Sequence, residues 1–476
     1  MTWITIDRAS GDPLFRQIYT GFRTKILQGE MRGGEPLPST RELASNLQVS
    51  RNVVVEAYEQ LLAEGYIEGR HGSGTYVAEG TYLDSHDYMP LPSLDLSQQS
   101  AINEIEDLIN FRHGIPALDF FPRQLWGRLA KNLCIDAPNE AFGYGKPEGS
   151  FELRRVLARY LHRTRGVICE PDQLIITTGA TQAFSLISKL LLSDEDGSKV
   201  IIEDPITHEL HQIFSQPGST LHPVPVDWNG MMTHLLPTDI KPNFIYVTPS
   251  HQFPLGGVLP IQRRVQLIQY AATTGSYIVE DDYDSEFRYE SAPISSLQGL
   301  DPDHVIYIGT FSKILSPALR MGYIILPRSL VQVARSLKWL TDLHTPSLEQ
   351  LTLASFIEEG HLDRHVSKMK KLYRKRRDFL MRLLTQTFAD NVTIHGYSTG
   401  LHLIAEFSNV TFTPALLEHF EQYGVRVYPV SIHAIYKDNH HNRVILGYGN
   451  LSEEKLAEGI RRLESALQPL IRGQMT

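Results

Sequence analysis

Two cysteines in 476 residues, Cys134 and Cys169, give neither a disulfide framework nor a paired-thiol metal spacing. They are expected to be buried thiols in a reducing compartment. No apolar run approaches the roughly 20 residues of a membrane span, and the first twenty positions carry charges where a secretory leader needs an apolar centre. No membrane partner and a cytoplasmic location are therefore expected. An excess of positive charge is missing too: 45 Lys and Arg stand against 54 Asp and Glu, for a net charge of −9. Residues 1–80 follow suit with eight against ten. That balance excludes coating nucleic acid by bulk electrostatics and leaves any DNA contact to a few well-aimed cations. What is present, 42% hydrophobic and 21% charged residues, is ordinary for a globular protein. The length exceeds one core, so two or three domains are expected.

The chemistry centres on Gly309 to Tyr323, G-T-F-S-K-I-L-S-P-A-L-R-M-G-Y, with Lys313 in the middle. An apolar strand, Val305–Ile308, delivers Lys313 among Thr310 and Ser312, and Arg320 follows seven residues on. Hydroxyls and a guanidinium suit a phosphate dianion, and a lysine beside them can form a Schiff base, which is pyridoxal phosphate chemistry. A second segment, Tyr277-Ile278-Val279-Glu280-Asp281-Asp282-Tyr283, ends a strand in carboxylates with a phenol beyond. Asp281 would keep a pyridine nitrogen protonated, and Tyr283 would bond the ring's phenolic oxygen.

The first eighty residues carry a different pattern. Apolar positions Phe15, Ile18, Phe22, Ile26 and Leu27 recur at helical spacing. Ser39-Thr40-Arg41-Glu42 reads as a capping box opening a short second helix. Ser50 caps a third helix whose exposed tip holds Ser50, Arg51 and Asn52, the end that enters a major groove. Tyr66 to Val77 then reads as two short strands around a Gly-rich, basic turn containing Arg70 and His71, a wing. Beyond Gly80 the pattern weakens through Pro90, Pro92 and an acidic stretch to Asp107, so residues 80–108 are expected to be an extended linker between a head of 1–79 and a body of 109–476. In that body, strands at Leu174–Thr178, Lys199–Glu203, Phe244–Thr248, Tyr277–Asp281, Val305–Ile308 and Gly322–Leu326 alternate with helical segments. Alternation of this kind predicts a mainly parallel sheet covered on both faces, with function at the strand ends. A smaller α/β domain is expected from about Ser347.

These segments together resemble the MocR/GabR-type regulators, in which a GntR-like winged helix-turn-helix is joined to a fold-type I aminotransferase domain. P-S-T-R-E-L-A and V-S-R-N-V-V-V-E-A-Y match the head, and Tyr144-Gly145-Lys146-Pro147-Glu148-Gly149 and the Lys313 segment match the body. The resemblance implies that Arg41, Ser50, Arg51 and Asn52 contact phosphates and base edges of double-stranded operator DNA, with Arg70 and His71 reaching the backbone or minor groove. It implies that Ala180 and Thr181 complete a phosphate cup with Thr310, Ser312 and Arg320, and that Arg443 grips an effector carboxylate. The resemblance implies pyridoxal phosphate as cofactor, an effector that is either pyridoxal phosphate itself or an amine or amino acid forming an external aldimine at Lys313, and a second copy of the chain in a head-to-tail homodimer. A working aminotransferase with an accessory head is the competing reading; an intact capping box and a basic wing favour the regulator, with at most slow half-transamination.

Two departures from the family pattern stand out. Phe253, in His251-Gln252-Phe253-Pro254-Leu255-Gly256, replaces an Asn that would bond the ring oxygen, leaving Tyr283 as its partner. Thr207 stands where an aromatic residue would stack on the ring, a task left to His208. His440 and His441 lack a second ligand pair, so no metal site is expected.

Overall fold

The computed structural model describes residues 4–82, 107–192, 197–215, 218–290 and 292–471. Its contacts divide the chain into two units, 1–103 and 104–476. Most of the expected linker, residues 83–106, lies outside the described residues.

In the first unit, helices α1 (Leu14–Leu27), α2 (Thr40–Leu47) and α3 (Arg51–Ala63) precede a hairpin of β1 (Ile67–Arg70) and β2 (Gly74–Val77). Ile18, Phe22 and Ile26 of α1 meet Leu43 of α2 and Val54, Tyr58 and Leu61 of α3 in one buried cluster. The i, i+4 spacing of these residues puts them on one face of each helix. Ser39 accepts a hydrogen bond from the Glu42 amide at 3.2 Å and so starts α2. Backbone bonds from Leu37 to Thr75 and from Val77 to Glu35 fasten the hairpin to the segment before α2.

The second unit is built on an eight-stranded sheet of β4 (Leu174–Thr177), β5 (Ser198–Asp204), β6 (Ser219–Asp227), β7 (Gly230–Met231), β8 (Phe244–Val247), β9 (Tyr277–Asp282), β10 (Val305–Thr310) and β11 (Gly322–Ile325), with β3 (Ile109–Asn110) elsewhere. The spatial order is β4-β11-β10-β9-β8-β5-β6-β7. Neighbours from β10 to β6 pair in parallel, while β11 runs against both β10 and β4. Strands β4, β8, β10 and β11 are buried throughout, as the near-continuous apolar runs predict. Helices α4 (Arg123–Asp136), α5 (Phe151–Arg165) and α6 (Ala180–Leu191) follow in chain order around it. Cys134 is exposed on α4 and Cys169 is half-buried, so the expectation of two buried thiols fails at Cys134. Among the described residues no helix is long and apolar enough to cross a membrane.

A second sheet, β12 (Val392–His395), β13 (His402–Phe407), β15 (Tyr428–Pro429) and β16 (Arg443–Gly447), is antiparallel in the order β12-β13-β16-β15, while β14 (Val425–Arg426) pairs with β3. Its core gathers Leu403, Val444 and Leu446 with Ile109 and Phe111, and takes in the helix His361–Phe388 from Met369 onward. The helix Ser347–Glu358 packs instead with α5, placing Leu353, Phe356 and Ile357 beside Leu153 and Leu157. The small-sheet core thus begins inside the helix that starts at His361, with residues 109–111 threaded back into it.

Candidate functional site

The site of the second unit forms where the chain leaves β10. Lys313 sits past the strand end, half-buried, and burial lowers the pKa of its amine against the opposing pull of Asp284 and Asp281. Its Nζ lies against Gly114: a Cβ built there would be 2.8 Å from it, and Gly114 also has φ +69°. Only glycine fits that approach without strain.

Three successive carboxylates end β9, and their partners separate their tasks. Glu280 accepts the Leu297 and Gln298 amides at 3.0 and 2.9 Å. Asp282 is bound by Arg165 Nε at 2.7 Å and Tyr307 Oη at 2.5 Å, all buried. Asp281 points to the other face, as strand alternation requires. Its Oδ2 accepts the Tyr246 hydroxyl at 2.8 Å, whereas Oδ1 is buried with no partner. Burial pushes this carboxyl up to about 7.

At the next strand end, α6 begins at Ala180 and directs its first amides outward, with Ala180 half-buried and Thr181 exposed. Arg320, in the left-handed region at φ +47°, donates Nη2 to the Thr178 carbonyl at 2.7 Å. Gly179, at φ +105°, leaves room for that guanidinium, since a Cβ would stand 2.8 Å from Nη2. Thr310 Oγ1 and Ser312 Oγ lie 3.1 Å apart, and the Ser312 amide donates to Thr310 Oγ1 at 3.2 Å. Strand β11 ties the two corners together: Gly322 pairs with Thr177 on one side and Thr310 on the other. Ala180, Thr181, Arg320, Thr310 and Ser312 therefore come from adjacent strand ends of one sheet.

Tyr283 lies beyond β9 with its hydroxyl 3.0 Å from His251 Nδ1, and His251 Nδ1 is 2.8 Å from Asp284 Oδ1. The His251–Asp284 pair is wholly buried, and the His251 Nε2 atom has no partner. Phe253 is buried between His113, at a ring separation of 4.8 Å, and Tyr283, at 6.3 Å. His208 is exposed at the start of a short helix and lies 3.3 Å from Gln212, and Thr207 precedes that helix without a side-chain capping bond. Arg443 does not join this group. Its Nε is bound to Glu406 at 3.1 Å, its Nη1 lies 3.1 Å from His440, and it covers the Trp228 ring at 5.1 Å. It stands four residues along β16, about 13 Å, from Gly447, the end that abuts Arg112 and His113. Ile445 lies between, packed with Phe253, Ile404 and Val430.

Sequence reasoning missed His251 with Asp284, Tyr246, Gly114 and His433. The run His251-Gln252-Phe253 drew attention only for its Phe. His251, Asp284 and His402 also bring ligand-type atoms within 4.8 Å of one another, a cluster that no sequence spacing announces.

In the first unit the tip of α3 presents Ser50, Arg51 and Asn52 to solvent, with Arg41 exposed on α2. Arg51 Nε reaches Thr40 Oγ1 at 3.3 Å. In the wing, Arg70 is bound to Glu68 at 2.9 Å and lies 4.6 Å over the Tyr76 ring, while His71 is exposed at the turn.

Comparison with known proteins agrees with both halves. Residues 14–77 match the bacterial regulatory proteins of the gntR family, and residues 106–463 match aminotransferase class I and II. An HTH-type transcriptional regulator of Bacillus subtilis, YdeL, is 37% identical over 97% of this chain and 98% of its own length. The probable rhizopine catabolism regulatory protein MocR of Rhizobium meliloti is 34% identical over 98% and 96%. The chain belongs to the MocR-type regulators. The regulator's body is also similar to solved enzymes, among them a multiple substrate aminotransferase of Thermococcus profundus at 26% identity and a TM-score of 0.72, covering 82% of this chain and 98% of the enzyme. The regulator thus pairs a GntR-type DNA-binding head with an aminotransferase-like body.

Proposed function

We propose that the body binds pyridoxal phosphate on Lys313 and a primary amine as effector, and that occupancy by the amine changes how the head engages operator DNA. The observation that carries this reading is the unpartnered, buried Oδ1 of Asp281 within electrostatic reach of the half-buried Lys313. A lone carboxylate oxygen without a donor costs stability, and a protonated ring nitrogen would supply that donor. The other donors fit the same group. The α6 N-terminus, Arg320, Thr310 and Ser312 suit its phosphate, and Tyr283 suits its phenolic oxygen. When bound, pyridoxal phosphate supplies an aldehyde that primary amines attack and a ring that withdraws electrons.

The chain's own groups divide the remaining work. Burial lowers the pKa of Lys313, which raises the share of its amine in the neutral, nucleophilic form. Gly114 holds that amine in place from the opposite side. His251 and Asp284 orient the Tyr283 hydroxyl, a function that the Phe253 side chain cannot share. Small-sheet movement over the pocket is the two-state element that both ligands would bias. The regulator would act as a homodimer in a head-to-tail arrangement in the cytoplasm, with turnover no faster than slow half-transamination.

The test is Lys313→Ala in the full-length protein loaded with pyridoxal phosphate. The visible absorption of the lysine-bound cofactor should vanish, together with the response of DNA affinity to amines. Survival of both would remove Lys313 from the account.

A further inference from the structure

The pocket beyond Lys313 contains a side chain whose hydrogen-bonding groups are all unused. From the Lys313 amine, Gly114 leads to His113, whose ring is 4.8 Å from Phe253 and 5.6 Å from His433. His433 is 5.1 Å from Phe253, 6% exposed, and neither Nδ1 nor Nε2 has a partner. The turn that carries it is fastened to the strand end of β5. The Ile206 amide donates to the His433 carbonyl at 3.0 Å, and Asp204 accepts the Ile435 and Tyr436 amides at 2.7 and 3.1 Å. The imidazole is therefore held inward, away from the water that would otherwise satisfy it.

We propose that His433 reads the far end of the effector, and that the effector is a small primary amine ending in an uncharged hydrogen-bonding group, a hydroxyl or carboxamide. This rests on the Lys313 reading above. An amine joined at Lys313's position extends past His113 and Phe253, where Ile404, Val430 and Ile445 form an apolar wall suited to methylenes. Its end then meets an imidazole that offers one donor and one acceptor, because burial keeps His433 neutral, down to about 4. Arg443, two residues before Ile445 on the same strand, is already paired with Glu406 and so is not free to take a carboxylate there. The acid closest in influence on His433 is Glu209, which disfavours a second negative charge. A plain alkyl end leaves both nitrogens unpaired, and sites built around a hydrogen bond reject ligands that lack it.

The experiment titrates the cofactor-loaded full-length protein with pentylamine, 5-amino-1-pentanol, 5-aminopentanamide and 5-aminopentanoate, following visible absorption. The alcohol or the amide should half-saturate at concentrations about 10–100-fold lower than the alkylamine and the acid. His433→Leu should erase that preference while keeping the cofactor band, which reports a folded pocket, and His433→Gln, with a donor and an acceptor, should retain it. A wild-type preference for the alkylamine or the acid overturns the proposal, as does a preference that survives in His433→Leu. Absence of the visible band from the wild-type protein overturns the Lys313 reading and this proposal with it, whereas a normal band without discrimination overturns this proposal alone.

Discussion

Replacing Asp281 with asparagine should stabilise the cofactor-free protein at alkaline pH while weakening its hold on pyridoxal phosphate. Burial moves this carboxyl from its ordinary value of 3.8 up to about 7. Folding therefore takes up a proton between those values, and stability falls as pH rises from about 4 through 7. About three pK units at ~1.36 kcal/mol each set an upper bound of about 4 kcal/mol. Asp282 and Asp284 add to the shift and the Tyr246 hydroxyl opposes it, so about 2–4 kcal/mol is the expected range. An amide cannot ionise, and its oxygen keeps the Tyr246 bond. Urea unfolding of cofactor-free wild type and Asp281→Asn at pH 8 should show the variant more stable by that amount, with the difference gone near pH 4. The same substitution should weaken cofactor binding about tenfold or more, since the ring nitrogen loses a charged partner. Equal or lower stability of the variant at pH 8 would refute the view that Asp281 is a buried charge waiting for a ligand.

Gly114→Ala should lower cofactor loading at least about tenfold, because the added methyl meets Lys313 Nζ at 2.8 Å and the backbone is left-handed; equilibrium dialysis measures it. Arg165→Met should destabilise the body by about 3–5 kcal/mol, since it strands the buried Asp282 carboxylate beside Tyr307. Denaturant midpoints would report that loss. Arg41→Ala should leave the thermal midpoint of the head within about 1 °C, weaken operator binding several-fold and reduce the salt dependence by about one phosphate contact. Fluorescence anisotropy at several salt concentrations separates these effects.

Much of the body's architecture was legible because its strands are buried on both faces and read as short apolar runs. All six strands expected from the sequence are present within a residue or two, and their alternation with helices implied the parallel sheet. The strand Ser219–Asp227 escaped notice because Pro223 and Pro225 break its pattern; β7 pairs with it only at Val226 and Asp227, and a side without a ladder partner tolerates prolines that a fully paired strand does not. Asp281 could be singled out from its place at a strand end. The reason it differs from Glu280 and Asp282 lies in partners more than fifteen residues away, Leu297, Gln298 and Arg165, which no local pattern reveals. Arg443 illustrates the same limit in reverse. Its pairing with Glu406 follows from the register of β13 against β16, and that register was not readable from either strand alone. The contact of Gly114 with Lys313 likewise joins positions 199 residues apart.

The central claim is that one pocket senses an amine and the head responds. Its most direct test is a visible absorption titration of the cofactor-loaded, full-length protein with candidate amines, run with and without operator-like DNA while keto acid is assayed. The account predicts a spectral shift with a subset of amines, a matching change in DNA affinity and no catalytic accumulation of keto acid. Steady keto acid production with DNA affinity unmoved would contradict it and establish the body as a working aminotransferase.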